Sequence, residues 1–109
     1  MSRSQTLSDD DVLTDFVRQL RTRLGSQLKQ IILYGSRARG DHAPDSDYDC
    51  LAIVDALHPG LKDTIFEVAG DFLFRHNAVF SVIPVAEDEY RRRVYNPLFM
   101  NVRGEGITM

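Results

Sequence analysis

The chain moves between two hydrophobic rhythms, and each change of rhythm marks an element. Leu13, Phe16, Val17, Leu20 and Leu24 recur at helical spacing, with Arg18, Arg21 and Arg23 off that stripe, which predicts a helix over 9–24. Ser8 followed by Asp11 has the form of a capping box with Asp in place of Glu, and Asp9 and Asp10 suit the positive end of a helix dipole. Gly25 is the stop signal. Lys29 to Tyr34 is a short β-branched and apolar run that predicts a strand. Tyr48 to Val54 predicts a second. Period two sets Asp47, Asp49, Leu51 and Ile53 on one side and Tyr48, Cys50, Ala52 and Val54 on the other. Both sides are apolar in the strand interior, as in a sheet covered on both faces.

Beyond the second strand, Leu57-His58-Pro59-Gly60 reads as a loop from its Pro-Gly pair. Ile65, Val68, Ala69 and Phe72 predict a helix over about 61–75 that ends at Asn77. Ala78 to Val85 predicts a third strand, and Pro84 sets its far end at a sheet edge or outside the sheet. Glu87 to Arg93 is a short helix with acids first and bases last. Asn96-Pro97 breaks it, leaving 98–109 as a last helical turn and a terminal extension. The expected fold is a small α/β (α+β) domain, a sheet of three to four strands flanked by helices. Residues 1–6 read as a flexible tail and 7–109 as a single domain.

Composition narrows the class. A chain of 109 residues suits one core. A net charge of −3 argues against a broad nucleic-acid-binding surface. One cysteine, Cys50, excludes an intrachain disulfide and fits a reducing compartment. No apolar stretch approaches the ~20 residues of a membrane span, and the polar start MSRSQTLSDDD is unlike a secretory signal. A cytoplasmic protein with no membrane partner is expected.

The chemistry concentrates between the first two strands, in Gly35 to Asp49, GSRARGDHAPDSDYD. Asp47 and Asp49, at i and i+2 of an extended segment, project from one face with Cβ atoms ~7 Å apart. Hard oxygen ligands without a Cys or His cluster suit Mg²⁺ or Mn²⁺, with water and phosphates completing the shell. Gly35 allows close backbone approach, Ser36 adds a hydroxyl, and a helical turn over Ser36–Arg39 would offer an anion site with Arg37 or Arg39 as a phosphate clamp. A P-loop fails because Asp41-His42 stand where Lys and Ser/Thr are required. An EF-hand beginning at Asp45 fails because Cys50 and Ala56 stand in place of its Gly and Glu. A solvated acidic turn needs neither the Gly-Ser pair nor aspartates that run into an apolar strand.

Gly35-Ser36, ten intervening residues and Asp47-Tyr48-Asp49 resemble the signature of the polymerase-β-like nucleotidyltransferase superfamily. The longer string GSRARGDHAPDSDYDCLAIV resembles its minimal, MNT-type branch, some members of which act as antitoxins beside HEPN-domain toxins. The ending NVRGEGI is similar to that of such small proteins. The resemblance implies that Gly35 and Ser36 hold a triphosphate, that Asp47 and Asp49 are catalytic metal ligands for Mg²⁺ or Mn²⁺, and that Arg37 and Arg39 contact phosphate. The alternative for these arginines is a salt bridge to Asp41 or Asp45. The implied reaction moves a nucleoside monophosphate, AMP, from an NTP such as ATP to a hydroxyl acceptor.

One departure matters. Active members of the superfamily place a third carboxylate on the next strand, and Ala78–Val85 offers only Ser81 there. Serine is a poor base and a weak metal ligand, so general-base help worth ~10²–10⁴-fold is in question. Glu67, Asp71 and Glu87 are the acids that could substitute, and their plainer reading is solvated helix-face and cap residues. Two functions are therefore carried forward: a minimal Mg²⁺-dependent nucleotidyltransferase, and a weak or inactive antitoxin-like module that binds nucleotide or a HEPN-type partner. So small a core also makes self-association or a partner plausible. Cys50 is expected to be a buried inert thiol, and Arg91 to Arg93 a charged helix end.

Overall fold

The apolar stripe of the first segment forms helix α1, Asp9–Leu24, in a computed structural model that describes residues 9–109, with side chains from residue 11 onward. The 1–6 tail and Ser8 of the capping box lie outside the described residues. Leu13, Phe16, Val17, Leu20 and Leu24 are all buried, together with Val12. A 3-10 turn over Gly25–Gln27 leads into β1, Leu28–Tyr34. The turn α2, Ser36–Arg39, and the site loop then reach β2, Tyr48–Val54. Next come α3, Pro59–His76, β3, Phe80–Ala86, α4, Glu87–Arg92, α5, Pro97–Glu105, and β4, Ile107–Thr108.

The sheet is mixed, with four strands in the order β3-β2-β1-β4. The β1–β2 and β1–β4 pairs are antiparallel, and β2–β3 is parallel. Side chains divide by parity as expected. Tyr48, Cys50, Ala52 and Val54 join α1 and α3 in one core, while Leu51 and Ile53 join Ile32, Val85, Phe99 and Val102 in another. In the first core Phe80 stacks between Phe16 and Tyr48, with ring centroids 3.8 and 4.4 Å away. That contact joins α1 to the start of β2, directly behind the site loop.

Strand β3 is a sheet edge. The Tyr48 N–H donates to the Val79 carbonyl, so the odd residues of β3 turn their backbone groups toward β2. Pro84 consequently faces outward, where a missing N–H leaves no gap in the ladder and blunts the open edge.

Two expectations are corrected. Pro59-Gly60 is not loop but the first turn of α3. His58 caps that turn by accepting from the Leu61 N–H at 3.2 Å, while its other ring nitrogen meets Gln27 Oε1 at 2.6 Å. Proline is well suited to the first helical position. Asn96-Pro97 likewise does more than end α4. Asn96 Oδ1 accepts from the N–H groups of Leu98 and Phe99, and Pro97 starts a nine-residue helix rather than a single turn. The chain end then pairs with Ile32 and Leu33 of β1, where only an extension was expected.

Candidate active site

The β1–β2 ladder ends with Tyr34 opposite Asp49, which sets Gly35 directly against the Asp49 carboxylate. Gly35 has φ 77° and ψ −157°, a region essentially reserved for glycine. A Cβ built there would lie 2.8 Å from Asp49 Oδ2. The glycine therefore serves both backbone geometry and the room that Asp49 occupies. The Gly35 carbonyl accepts from the N–H groups of Ala38 and Arg39, starting the α2 turn with Ser36 at its first position. Gly40, at φ 83°, ends that turn in the left-handed region.

Arg37 reaches back across the loop. Its Nε donates to the Ser46 carbonyl at 2.9 Å, its Nη2 to the Pro44 carbonyl at 3.2 Å, and its guanidinium lies 3.9 Å from the centre of the Tyr48 ring. It thus ties α2 to the segment that delivers Asp47. Arg39 takes the expected salt bridge to Asp41, at 3.2 Å, and a second to Glu105. Glu105 Oε2 also accepts the Gly35 N–H at 2.8 Å.

Asp47 is exposed and Asp49 half-buried. Desolvation, and secondarily the charge of Asp47, raises the Asp49 pKa above the ordinary carboxylate value. Two like charges at one strand end are the arrangement a cation relieves. Cys50, between Asp49 and Leu51, is fully buried, and burial pushes its thiol up to about 12, so it is an inert core residue.

Ser81 stands beside Asp49 in the parallel register of β3, on the same face and one strand spacing away, ~4.8 Å. It is exposed. The acids considered as substitutes are committed elsewhere: Glu67 to Arg23 at 2.6 Å, Asp71 to Arg75 at 2.7 Å and Glu87 to Arg91 at 3.1 Å. Arg92 and Arg93 pair with Glu89, which makes 91–93 a charged helix end as read. Among the described residues no group of three His, Cys, Asp or Glu side chains is placed to hold a metal ion. Asp47 and Asp49 supply two hard donors, a set that fits Mg²⁺ when phosphates and water complete its shell. A cavity of about 230 Å³ opens among Arg37, Tyr48, His76 and Asn77, on the face covered by α1 and α3, and is not lined by either aspartate.

Glu105 is a site-proximal residue to which sequence reasoning assigned no role, although it lies in the NVRGEGI ending. It lies 70 positions from Gly35, and no local pattern signals a contact of that range.

Against this geometry, the nucleotidyltransferase domain family model matches residues 13–96, and the chain belongs to that family. A candidate protein adenylyltransferase of Methanocaldococcus jannaschii is 27% identical over 100 residues, spanning 92% of this chain and 96% of the relative. A second from the same organism is 32% identical over 75 residues, spanning 67% and 75%. Among solved structures, a chain of a toxin–antitoxin complex with AMP-PNP superposes with a TM-score of 0.59 at 18% identity, over 86% of this chain and 69% of that one. A chain from tri-AMPylated Shewanella oneidensis HEPN toxin in complex with MNT antitoxin gives 0.58 at 16% identity, over 93% and 71%. A candidate nucleotidyltransferase of Sulfolobus solfataricus gives 0.57 at 19%, over 90% and 76%. The fold is the nucleotidyltransferase fold. Among the described residues no helix is long and apolar enough to cross a membrane.

Proposed function

We propose that this chain binds ATP with Mg²⁺ at Gly35–Asp49 and transfers AMP to a hydroxyl of a protein acceptor. The observation that carries this reading is the Asp49 carboxylate seated against Gly35 with Asp47 two residues away. Ser36 offers its hydroxyl to the triphosphate beside Gly35, whose missing side chain allows the close approach, and Asp47 and Asp49 take the cation. Arg37 and Arg39 lend positive charge to the turn while their donors brace it. When bound, Mg²⁺ supplies neutralisation of the phosphate charge and a lowered pKa for the acceptor hydroxyl. The acceptor oxygen bonds to the α-phosphorus, the bond to the β,γ-pyrophosphate breaks, and pyrophosphate leaves. The acceptor proton passes to water, since Ser81 cannot take it near neutral pH. The names of the Methanocaldococcus jannaschii relatives support AMP as the group transferred and a protein as the acceptor.

Ser81 beside Asp49 favours a second reading, an antitoxin-like module that binds a HEPN-type partner, with or without nucleotide, and transfers slowly or not at all. Exposed Phe66, Phe74 and Tyr95 provide apolar surface that such a partner, or a second copy, would cover. Incubation with labelled ATP and Mg²⁺, alone and with the product of the neighbouring gene, separates the readings. The enzyme reading expects label on an acceptor, lost in Asp47→Asn/Asp49→Asn. No label on any acceptor, with partner binding indifferent to the double change, defeats it and leaves the module.

A further inference from the structure

Glu105 is the last residue of α5, and three features fix its place. Phe99 and Val102 bury the helix against the sheet. Gly106 packs so closely on β1 that a Cβ there would lie 2.5 Å from Ile32 Cγ2 and 2.4 Å from the Val102 carbonyl oxygen. Ile107 and Thr108 then pair with Leu33 and Ile32. The chain end is thus held along β1, and Glu105 arrives where β1 gives way to the Gly35-Ser36 turn.

The carboxylate has a specific set of donors. Its Oε2 accepts from the Gly35 N–H at 2.8 Å, and Arg39 Nη1 lies 3.2 and 3.3 Å from its two oxygens. The side chain is 28% exposed. Gly35 therefore has both backbone groups engaged, its carbonyl by α2 and its N–H by Glu105. A residue whose φ and ψ lie in a sparsely populated region holds that conformation only when its surroundings over-determine it. Glu105 is the restraint on the N–H side.

We infer that Glu105 is a positioning residue of the triphosphate site. It fixes the Gly35 peptide, and with it Ser36 and the space for Asp49, without touching substrate. The same carboxylate draws on Arg39, which also serves Asp41, so Arg39 acts mainly by holding this end of the turn. The inference rests on the nucleotide-binding reading above.

The test uses Glu105→Ala, Glu105→Gln and Val102→Ala, the last loosening α5 without removing the carboxylate. In Glu105→Ala the Gly35 amide should shift upfield and exchange at least ~10-fold faster, and Mg²⁺–ATP should bind about 10–100-fold more weakly by calorimetry, the scale of losing a hydrogen bond to a charged group. Glu105→Gln, whose amide oxygen still accepts from Gly35, should bind within ~3-fold of wild type. Val102→Ala, compared by urea unfolding, should lose stability yet keep its affinity. An unchanged Gly35 amide in Glu105→Ala overturns the inference. So does loss of affinity in Val102→Ala equal to that in Glu105→Ala, which would make the effect one of general loosening. Wild-type protein that fails to bind Mg²⁺–ATP defeats the triphosphate reading and the inference together. Normal wild-type binding with Glu105→Ala unaffected defeats the inference alone.

Discussion

Replacing Gly35 by alanine isolates the geometry on which the site depends, and Gly40→Ala is its internal control. Both glycines have positive φ, 77° and 83°. Their surroundings differ. A Cβ at Gly40 meets nothing within 4 Å, whereas one at Gly35 would sit 2.8 Å from Asp49 Oδ2. Gly40→Ala should therefore show backbone strain only, ~1–2 kcal/mol for a left-handed residue. At Gly35 the backbone region is still less populated, about 1–3 kcal/mol, and Asp49 must also leave its position, adding ~0.5–1.5 kcal/mol if it is forced off a rotamer. The expected loss for Gly35→Ala is thus ~2–4 kcal/mol, inside the ~5–15 kcal/mol stability of an ordinary domain. Urea unfolding should show a lower midpoint with an unchanged slope, and the melting temperature should drop by ~4–8 °C for each kcal/mol. Calorimetry should find Mg²⁺–ATP binding lost in Gly35→Ala and retained in Gly40→Ala. Equal destabilisation of the two variants, or wild-type affinity in Gly35→Ala, would refute the claim that this glycine exists to seat Asp49.

Asp49→Asn should abolish Mg²⁺-dependent binding while stabilising the free protein at neutral pH by roughly 0.5 kcal/mol, ~2–4 °C in melting temperature. The sign follows from the raised pKa: the folded state holds the Asp49 proton more tightly, so its contribution to stability falls as pH rises from the unfolded toward the folded pKa and stays low above both. Carboxyl-carbon NMR should accordingly place the Asp49 midpoint above 3.8, and Asp47→Asn should lower it; a midpoint at or below 3.8 removes desolvation from the account. Ser81→Asp adds an acid beside Asp49 in register and should tighten Mg²⁺ binding and speed AMP transfer to any acceptor found, by ~10²-fold or more if general-base help is restored; unchanged transfer would show that the missing carboxylate is not what limits it. Arg37→Ala removes the bonds to Ser46 and Pro44 and should increase amide exchange in residues 41–47 and weaken Mg²⁺ binding several-fold, which native-state exchange and calorimetry would read.

The sequence made the elements around the site legible because each carries a local signal. The stripe of α1, the two-sided apolar run of β2 and the acids opening α4 are patterns within a few residues. Asp47 and Asp49 were proposed for the same reason, since period two would set them on one face, although Asp47 lies just before β2. What local pattern could not show was long-range. Pro59-Gly60 reads as a turn until His58 is seen to cap the helix that follows. Residues 97–109 look weak because their helix and strand are stabilised by β1, Phe99 and Val102 rather than by propensity. The link from Glu105 to Gly35 joins parts of the chain that the packing of α5 on the sheet and the β4–β1 pairing bring together. The arginines show the limit from the other side. Their type suggested phosphate, whereas their bonds run to the loop and to two carboxylates.

Several features of the site run against fold stability. Gly35 occupies a conformation that other residues avoid, Asp49 is partly desolvated, and the charge of Asp47, another carboxylate, acts on it. An apolar or amide residue at position 49 would ease the last two at once. Proteins tolerate such local conflicts chiefly where binding compensates for them. A divalent cation with its phosphates would do so by neutralising the Asp47–Asp49 pair, with Asp49 seated in the room that Gly35 leaves for it. The desolvated and like-charged Asp49 is what the proposed cation-and-phosphate site would relieve in either reading. It says nothing of catalysis, because none of these features involves the acceptor. The two readings separate at Ser81 instead, where an uncharged hydroxyl leaves Asp49 without a third acid beside it. On either proposed reading the Gly35–Asp49 stretch would hold the nucleotide, and the two differ only in the rate of transfer.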